Sequence, residues 1–216
     1  MTKANRQGRT RIIGIAGASG SGKTFFAQKL CSSLSASAVI LSQDFYYRDQ
    51  NHLPIEQRAA MNFDHPDAID FELMQEHLRQ LKSGQPITHP LYDFATHSRQ
   101  KQSQSLAPAP IVLVDGILIY VVEKMRRLFD YKVYIDTPAD LCFIRRLQRD
   151  VESRGRSVES VISQYLDSVR PMFLKYVQPS SQYADLITAG VGDMDEAVEH
   201  IAKLCRTKLS SNKNRM

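Results

Sequence analysis

Residues Gly17 to Thr24 read GASGSGKT, a match to G-x-x-x-x-G-K-[ST]. Glycines at that spacing let successive backbone N–H groups converge on phosphate oxygens. The lysine can bridge β- and γ-phosphates, and the hydroxyl beside it can face Mg²⁺. The whole run, Gly17, Ala18, Ser19, Gly20, Ser21, Gly22, Lys23 and Thr24, is expected to hold a nucleoside triphosphate. Asp115 closes the apolar run IVLVD, and a carboxylate at the end of a buried strand would reach the same metal ion from the sheet side. Arg145, Arg146, Arg149, Arg154 and Arg156 crowd one short stretch that breaks at Gly155. A solvated helix face is the ordinary account of such a charge run. Guanidinium groups also fork onto phosphate oxygens as charge moves, which makes residues 145–157 a candidate lid.

These residues need elements to aim them. RIIGIAG, Arg11 to Gly17, is a short β-branched run, and in the following TFFAQKLCSSL the residues Phe26, Leu30 and Leu34 recur at helical spacing, so the glycine-rich loop lies between a strand and a helix. AVILS (38–42), IVLVDG (111–116), KVYIDT (132–137) and ADLITAG (184–190) are continuous apolar runs of the kind buried on both faces of a parallel sheet. Helical periodicity is expected over Phe71–Lys82, Ile119–Phe129, Pro138–Ser153, Val158–Tyr176 and Met194–Leu209. The pattern predicts an α/β, three-layer P-loop NTPase fold with a mainly parallel five-stranded sheet. Between the second and third strands lie about seventy positions, more than one crossover needs, and insertions of that size tend to carry specificity. Within this insertion, residues 43–110, PITHPLYDF and SRQKQSQS are expected to pair as a β-hairpin over the mouth of the site.

Composition sets outer limits. A chain of 216 residues, 43% hydrophobic and 24% charged, suits one domain, expected over 11–209 with flexible tails at 1–10 and 210–216. A net charge of +5 suits small polyanions as well as it suits nucleic acid, and no nucleic-acid partner is expected. Cys31, Cys142 and Cys205 have neither disulfide-framework nor zinc-site spacing. The longest apolar run, Ile111 to Val122, is broken by Asp115 and Gly116 and is too short to span a membrane, so a cytoplasmic protein is expected. The only Asn-Lys pair, Asn212-Lys213, is not followed by the Asp of a GTPase base-reading element.

The segments SQDFYYR (42–48), NFDHPDAID (62–70), PLYDFATHSR (90–99), RRLQRDVESRGR (145–156) and SQY (163–165) resemble, in order and spacing, the uridine kinase (uridine-cytidine kinase) family. With the phosphate loop, the likeness runs from about Arg11 to about Ala189. It implies ATP-dependent, Mg²⁺-requiring phosphorylation of the 5′-hydroxyl of uridine, with cytidine as a further acceptor and GTP as an alternative donor. It also implies a homotetramer whose partners are the nucleoside and the nucleoside triphosphate. By the same likeness Asp44 is the carboxylate that accepts the hydroxyl proton, and an ionised Asp within hydrogen-bond reach suffices for a reaction that is mostly positioning. Asp64 takes the ribose hydroxyls beside Arg146 and Gln164. Tyr47, Tyr92, Phe94, His97 and Ile117 frame the base, Arg156 reaches the nucleoside, and Arg149 and Arg154 approach the phosphates. Thr24 and Asp115 are the expected metal ligands.

At one position the chain departs from that family, which usually has Glu-Gly where Asp115-Gly116 stand, leaving the carboxylate one methylene further from the metal. Two other readings remain open on sequence. One is a related kinase of pantothenate or phosphoribulokinase type, which would lack the FDHPDA and YDF-x-x-HSR elements. The other is a non-catalytic nucleotide sensor.

Overall fold

Alternating β-branched and small residues make Arg11–Gly17 a strand, β1, that is covered on both faces: Ile12 and Ala16 enter one core cluster, Ile13 and Ile15 the other. The computed structural model describes residues 10–211, the side chains of 208–211 excepted. Four more parallel strands, β2 (Ala38–Ser42), β5 (Ile111–Asp115), β6 (Tyr131–Asp136) and β7 (Leu186–Ala189), complete the sheet in the order β2-β5-β1-β6-β7. Every pairing is parallel, as the uninterrupted apolar runs require. The phosphate loop leaves the C-terminal end of the central β1, the edge at which open α/β sheets bind ligands.

Helix α1 (Lys23–Leu34) and the last helix, α9 (Asp195–Ser211), cover one face. Phe26, Leu30 and Leu34 of α1 and Val198, Ile201 and Ala202 of α9 are buried there. Helix α3 (Phe71–Lys82), with Met74, Leu78 and Leu81 fully buried, covers the other face. Its start is fixed by Asp70, whose Oδ1 accepts from the Leu73 N–H at 3.2 Å. The expected hairpin is present as β3 (Ile87–Asp93) and β4 (Ser98–Leu106), antiparallel, with a register shift between Pro90 and Tyr92. A short helix, α2 (Ile55–Ala59), also belongs to the insertion.

Some expectations change. The helix expected over Ile119–Phe129 shrinks to α4, Glu123–Arg126. Leu118, Ile119 and Tyr120 are wholly buried in a turn. Gln43 Oε1 accepts from the Leu118 N–H at 2.8 Å, and the Tyr120 hydroxyl donates to the Val133 carbonyl at 3.0 Å. Apolar spacing there marks a core wall rather than a helix face. Helix α5 (Ala139–Arg154) ends at Gly155, φ 64°, where a left-handed residue closes the last turn.

The run expected as one helix over Val158–Tyr176 is broken and longer. It comprises α6 (Val158–Gln164), a π segment (Tyr165–Val169), α7 (Arg170–Met172), a second π segment (Phe173–Val177) and α8 (Gln178–Ser180). Of the residues read as tails, 1–9 and 212–216 lie outside the described residues. Thr10 is described, its Oγ1 donating to the Ala109 carbonyl at 2.9 Å, and Ser210 and Ser211 continue α9.

Candidate active site

Gly20 and Gly22 take φ of 83° and 95°, left-handed values that glycine adopts at little cost. At Gly20 a Cβ would also lie 2.2 Å from the Cys142 carbonyl oxygen, so α5 is pressed against the phosphate loop. The loop closes on itself through Ser21 N–H to the Ala18 carbonyl at 3.0 Å, while Thr137 Oγ1 donates to the Ser21 carbonyl at 2.9 Å. Lys23 folds back so that Nζ donates to Ala18 O at 3.3 Å. Beyond the loop, α1 begins at Lys23 with Gly22 as its cap, and its free N–H groups and dipole favour an anion at Gly17–Thr24.

Thr24 Oγ1 donates to Asp115 Oδ2 at 2.7 Å, while Asp115 Oδ1 is buried without a partner. Burial pushes the Asp115 carboxyl above its usual range, and the nearby Lys23 pulls it back. A hydroxyl and a carboxylate oxygen in need of a partner form an all-oxygen donor pair suited to Mg²⁺, which takes few protein ligands and keeps waters or substrate oxygens. Among the described residues no group of three or more His, Cys, Asp or Glu side chains is placed to hold a metal ion.

A cleft of about 660 Å³ opens beside the loop. Ser19 and Lys23 of the loop line it together with Asp44 and Asp64. Asp44 follows β2 in a 3₁₀ turn whose start is capped by Ser42 Oγ, which accepts the Asp44 N–H at 3.2 Å. Asp64 is 6% exposed; burial raises its pKa, Arg146 opposes that shift and the charge of Asp44 adds to it.

The far end of the cleft is an aromatic box. Tyr47 packs against Tyr92 (ring centroids 4.9 Å apart) and edge-on against Phe63 (5.5 Å), and Tyr92 meets Phe94 at 5.3 Å. His97 stacks on Phe63 at 5.1 Å and 16°. Its φ of 51°, at the end of the β3–β4 turn, is a left-handed conformation that His tolerates better than β-branched residues do. Burial, then Arg156, Arg58 and Arg154, push the His97 pKa down, so the ring is neutral near pH 7. Burial raises Tyr47 and Tyr92, keeping both phenols protonated. The Tyr92 hydroxyl is buried without a partner.

The arginines close the cleft from above. Arg146, 7% exposed, donates to Ser19 Oγ at 2.9 Å and to Gln164 Oε1 at 2.8 Å, and Arg156 donates to the same Gln164 oxygen. All four lining arginines face the fully buried Asp150, at 3.6 Å for Arg146, 2.8 Å for Arg149, 3.4 Å for Arg154 and 3.9 Å for Arg156. Four guanidiniums around one carboxylate leave a large positive excess facing the phosphate loop, the field a triphosphate and its migrating charge would meet. The Arg154 guanidinium also lies 4.1 Å over the Phe94 ring, joining this cluster to the aromatic box.

The structure thus brings into one cleft Asp44, Tyr47, Asp64, Tyr92, Phe94, His97, Ile117, Arg146, Arg149, Arg154, Arg156 and Gln164, with Ser19 and Lys23. Thr24 and Asp115 pair beside it. Gly17, Ala18, Gly20, Ser21 and Gly22 form the loop below. Arg145 turns elsewhere, to the Gly190 carbonyl at 2.9 Å. Sequence reasoning missed Asp150 and Phe63. The first had a signal: an acid four residues from both Arg146 and Arg154 on a helix faces both. The second stood in FDHPDA without a distinguishing mark.

The sequence pattern described as the Phosphoribulokinase / Uridine kinase family matches residues 12–197. The uridine kinase of Pasteurella multocida (strain Pm70) is 49% identical over 181 residues, 82% of this chain and 84% of its own. That of Chloroflexus aurantiacus (strain ATCC 29366 / DSM 635 / J-10-fl) is 49% identical over 191 residues, 88% and 91% of the two chains. Among solved structures, phosphoribulokinase from Rhodobacter spheroides superposes with a TM-score of 0.62 at 15% identity, covering 84% of this chain and 70% of that one. D-glycerate 3-kinase from Cryptococcus neoformans gives 0.58 at 16%, covering 83% and 82%. At such identities the structural likeness shows the fold, while the curated relatives and the matched pattern reach further. A pattern spanning residues 12–197 and relatives at 49% identity over more than four-fifths of the sequence place this chain in the phosphoribulokinase/uridine kinase family.

Proposed function

We propose that this chain transfers the γ-phosphoryl group of ATP to the 5′-hydroxyl of uridine, and of cytidine, giving UMP or CMP and ADP. The observation that supports it most directly is one cleft lined both by Ser19 and Lys23 of the phosphate loop and by a set of carboxylates and aromatic rings. The name uridine kinase borne by relatives at 49% identity favours a nucleoside over pantothenate or a sugar phosphate as acceptor.

In this reading the loop amides and Lys23 hold the β- and γ-phosphates. Thr24 and Asp115 hold Mg²⁺, which when bound neutralises charge on the phosphate oxygens. Asp44 accepts the 5′-hydroxyl proton and aims that oxygen at the γ-phosphorus. Asp64, able to accept two hydrogen bonds, takes the ribose diol with Arg146 and Gln164 beside it. Neutral His97 and the protonated Tyr92 offer polar edges to the base between the faces of Tyr47, Phe63 and Phe94. Ile117 walls that end and Arg156 reaches the nucleoside, while Arg149 and Arg154 meet the charge that develops on the transferring group. ATP is the donor in this proposal, with GTP as an alternative. The family likeness further supports a cytoplasmic homotetramer in pyrimidine salvage, with the domain over 11–209.

The test is to incubate the purified chain with ATP, Mg²⁺ and uridine. UMP and ADP in equal amounts are expected; turnover of another alcohol with neither pyrimidine nucleoside accepted would overturn the proposal.

A further inference from the structure

Asp64 must be held to within a fraction of an ångström to grip a ribose diol, yet among the described residues its carboxylate accepts no hydrogen bond. Its position therefore comes from the backbone around it. On one side, the Asp64 N–H donates to Asn62 Oδ1 at 3.1 Å. On the other stands His65, whose two ring nitrogens are both engaged. Nδ1 accepts the Asp67 N–H at 3.2 Å, which puts the ring proton on Nε2, and Nε2 donates to the Tyr176 hydroxyl at 3.0 Å. The two rings meet edge to face, with centroids 5.2 Å apart and planes at 90°.

Tyr176 lies in the second π segment, Phe173–Val177, 111 residues along the chain from His65. Phe173 and Val177 of the same segment line an apolar pocket that Asp64 also borders. The helical run that ends here begins with α6, whose last residue, Gln164, ties Arg146 and Arg156 together. His65 and Tyr176 thus join the segment bearing the diol-binding carboxylate to the run bearing its polar neighbours. π segments are strained variants of the α-helix that recur at functional places, and here one presents the tyrosine.

We propose that the His65–Tyr176 pair is a positioning strap that sets Asp64 for the acceptor, acting on nucleoside binding and not on the phosphate donor; this rests on the nucleoside kinase reading above. Neither residue lines the substrate cleft, so neither is a catalytic residue.

The experiment compares steady-state KM for uridine at saturating MgATP, and for ATP at saturating uridine, across Tyr176→Phe, His65→Ala, the double variant and His65→Gln. Loss of one hydrogen bond predicts a uridine KM about three- to tenfold higher in Tyr176→Phe, with the ATP KM within about twofold of wild type. The double variant is expected to be no worse than His65→Ala, because the two side chains act as one device. His65→Gln, which keeps a donor near the Nε2 position, should recover much of the loss. Parallel rises in both KM values, or additive effects in the double variant, would reduce the pair to general structure and overturn the strap. An unchanged uridine KM in Tyr176→Phe would overturn it too. A wild-type chain that made no UMP would overturn the nucleoside reading and the strap with it, whereas active wild type with unselective variants strikes the strap alone.

Discussion

The two ends of the cleft are built on opposite principles. The phosphate end is a short contiguous loop whose grip comes from backbone amides, with Lys23, Thr24 and one partner, Asp115, brought in by the strand beside it. The end proposed to take the acceptor is assembled from side chains of distant segments: Asp44 after β2, Phe63 and Asp64 in the insertion, Tyr92 to His97 on the hairpin, Arg146 on α5 and Gln164 on α6. Backbone gripping is indifferent to what is attached to the phosphates, so one loop serves many acceptors across a family. Side-chain pockets can be rebuilt without touching it. Separate construction also means that the two ends should fail separately when perturbed.

Asp44 stands where the ends meet, and its replacement gives the largest expected effect. Asp44→Asn keeps the size of the side chain and removes the proton acceptor, so kcat should fall on the order of 10³-fold. Both KM values should stay within a few-fold, and thermal stability should be unchanged. A variant that bound and turned over uridine as the wild type does would show that the hydroxyl is activated elsewhere.

Acid should separate the ends more gently. Asp64 has a pKa raised by burial, so its ionised form is lost as pH falls through a value above the ordinary carboxylate range. For folding the sign is opposite: burying that charge costs stability above the raised pKa, and the cost disappears on acidification. With Asp64 in its proposed role uridine binding needs the carboxylate, and kcat/KM should drop roughly tenfold per pH unit below it. Asp115 is pushed up by burial as well, but saturating Mg²⁺ opposes its protonation. The profile at saturating MgATP therefore reads the acceptor end. An equal acid loss in ATP affinity under these conditions would erase the proposed difference between the two ends.

The same contrast governs what the sequence made legible. The loop is local, and so it could be read whole from GASGSGKT between an apolar strand and a periodic helix. Phe71–Lys82 was equally plain from its periodicity, and the structure adds the Asp70 cap. Residues 119–122 misled because burial on all sides mimics helical spacing when a buried turn carries Leu118, Ile119 and Tyr120. The proposed acceptor residues became visible only through likeness to a family, since no spacing rule brings a hairpin histidine over a phenylalanine more than thirty positions earlier. Asp150 stayed hidden because an acid among arginines reads as surface charge, whereas the structure buries it completely as their common anchor. The breaks in the run after Gln164 do have a sequence mark, Pro171 and Pro179, which follow the two π segments and lack the N–H that a regular helix needs; the second of these segments carries Tyr176, which meets His65.

Asp115, where the resemblance leads one to expect a glutamate, yields the smallest expected effect and the finest test of the loop end of the cleft. The shorter carboxylate already reaches Thr24, at 2.7 Å, so the site does not need a longer side chain to bring hydroxyl and carboxylate together. Its second oxygen is buried and unpartnered, and a bound metal ion, or a water upon one, would give it a partner. Asp115→Glu adds one methylene beneath the loop, a modest overpacking, and moves the charge toward the metal, so the two consequences oppose each other. Activity at saturating Mg²⁺ should be kept or slightly raised, within about threefold of wild type, and the Mg²⁺ concentration giving half-maximal rate should be equal or lower. A collapse of turnover in this variant, with unchanged melting temperature, would mean that Asp115 serves the loop through its bond to Thr24 and that the metal is held by other groups.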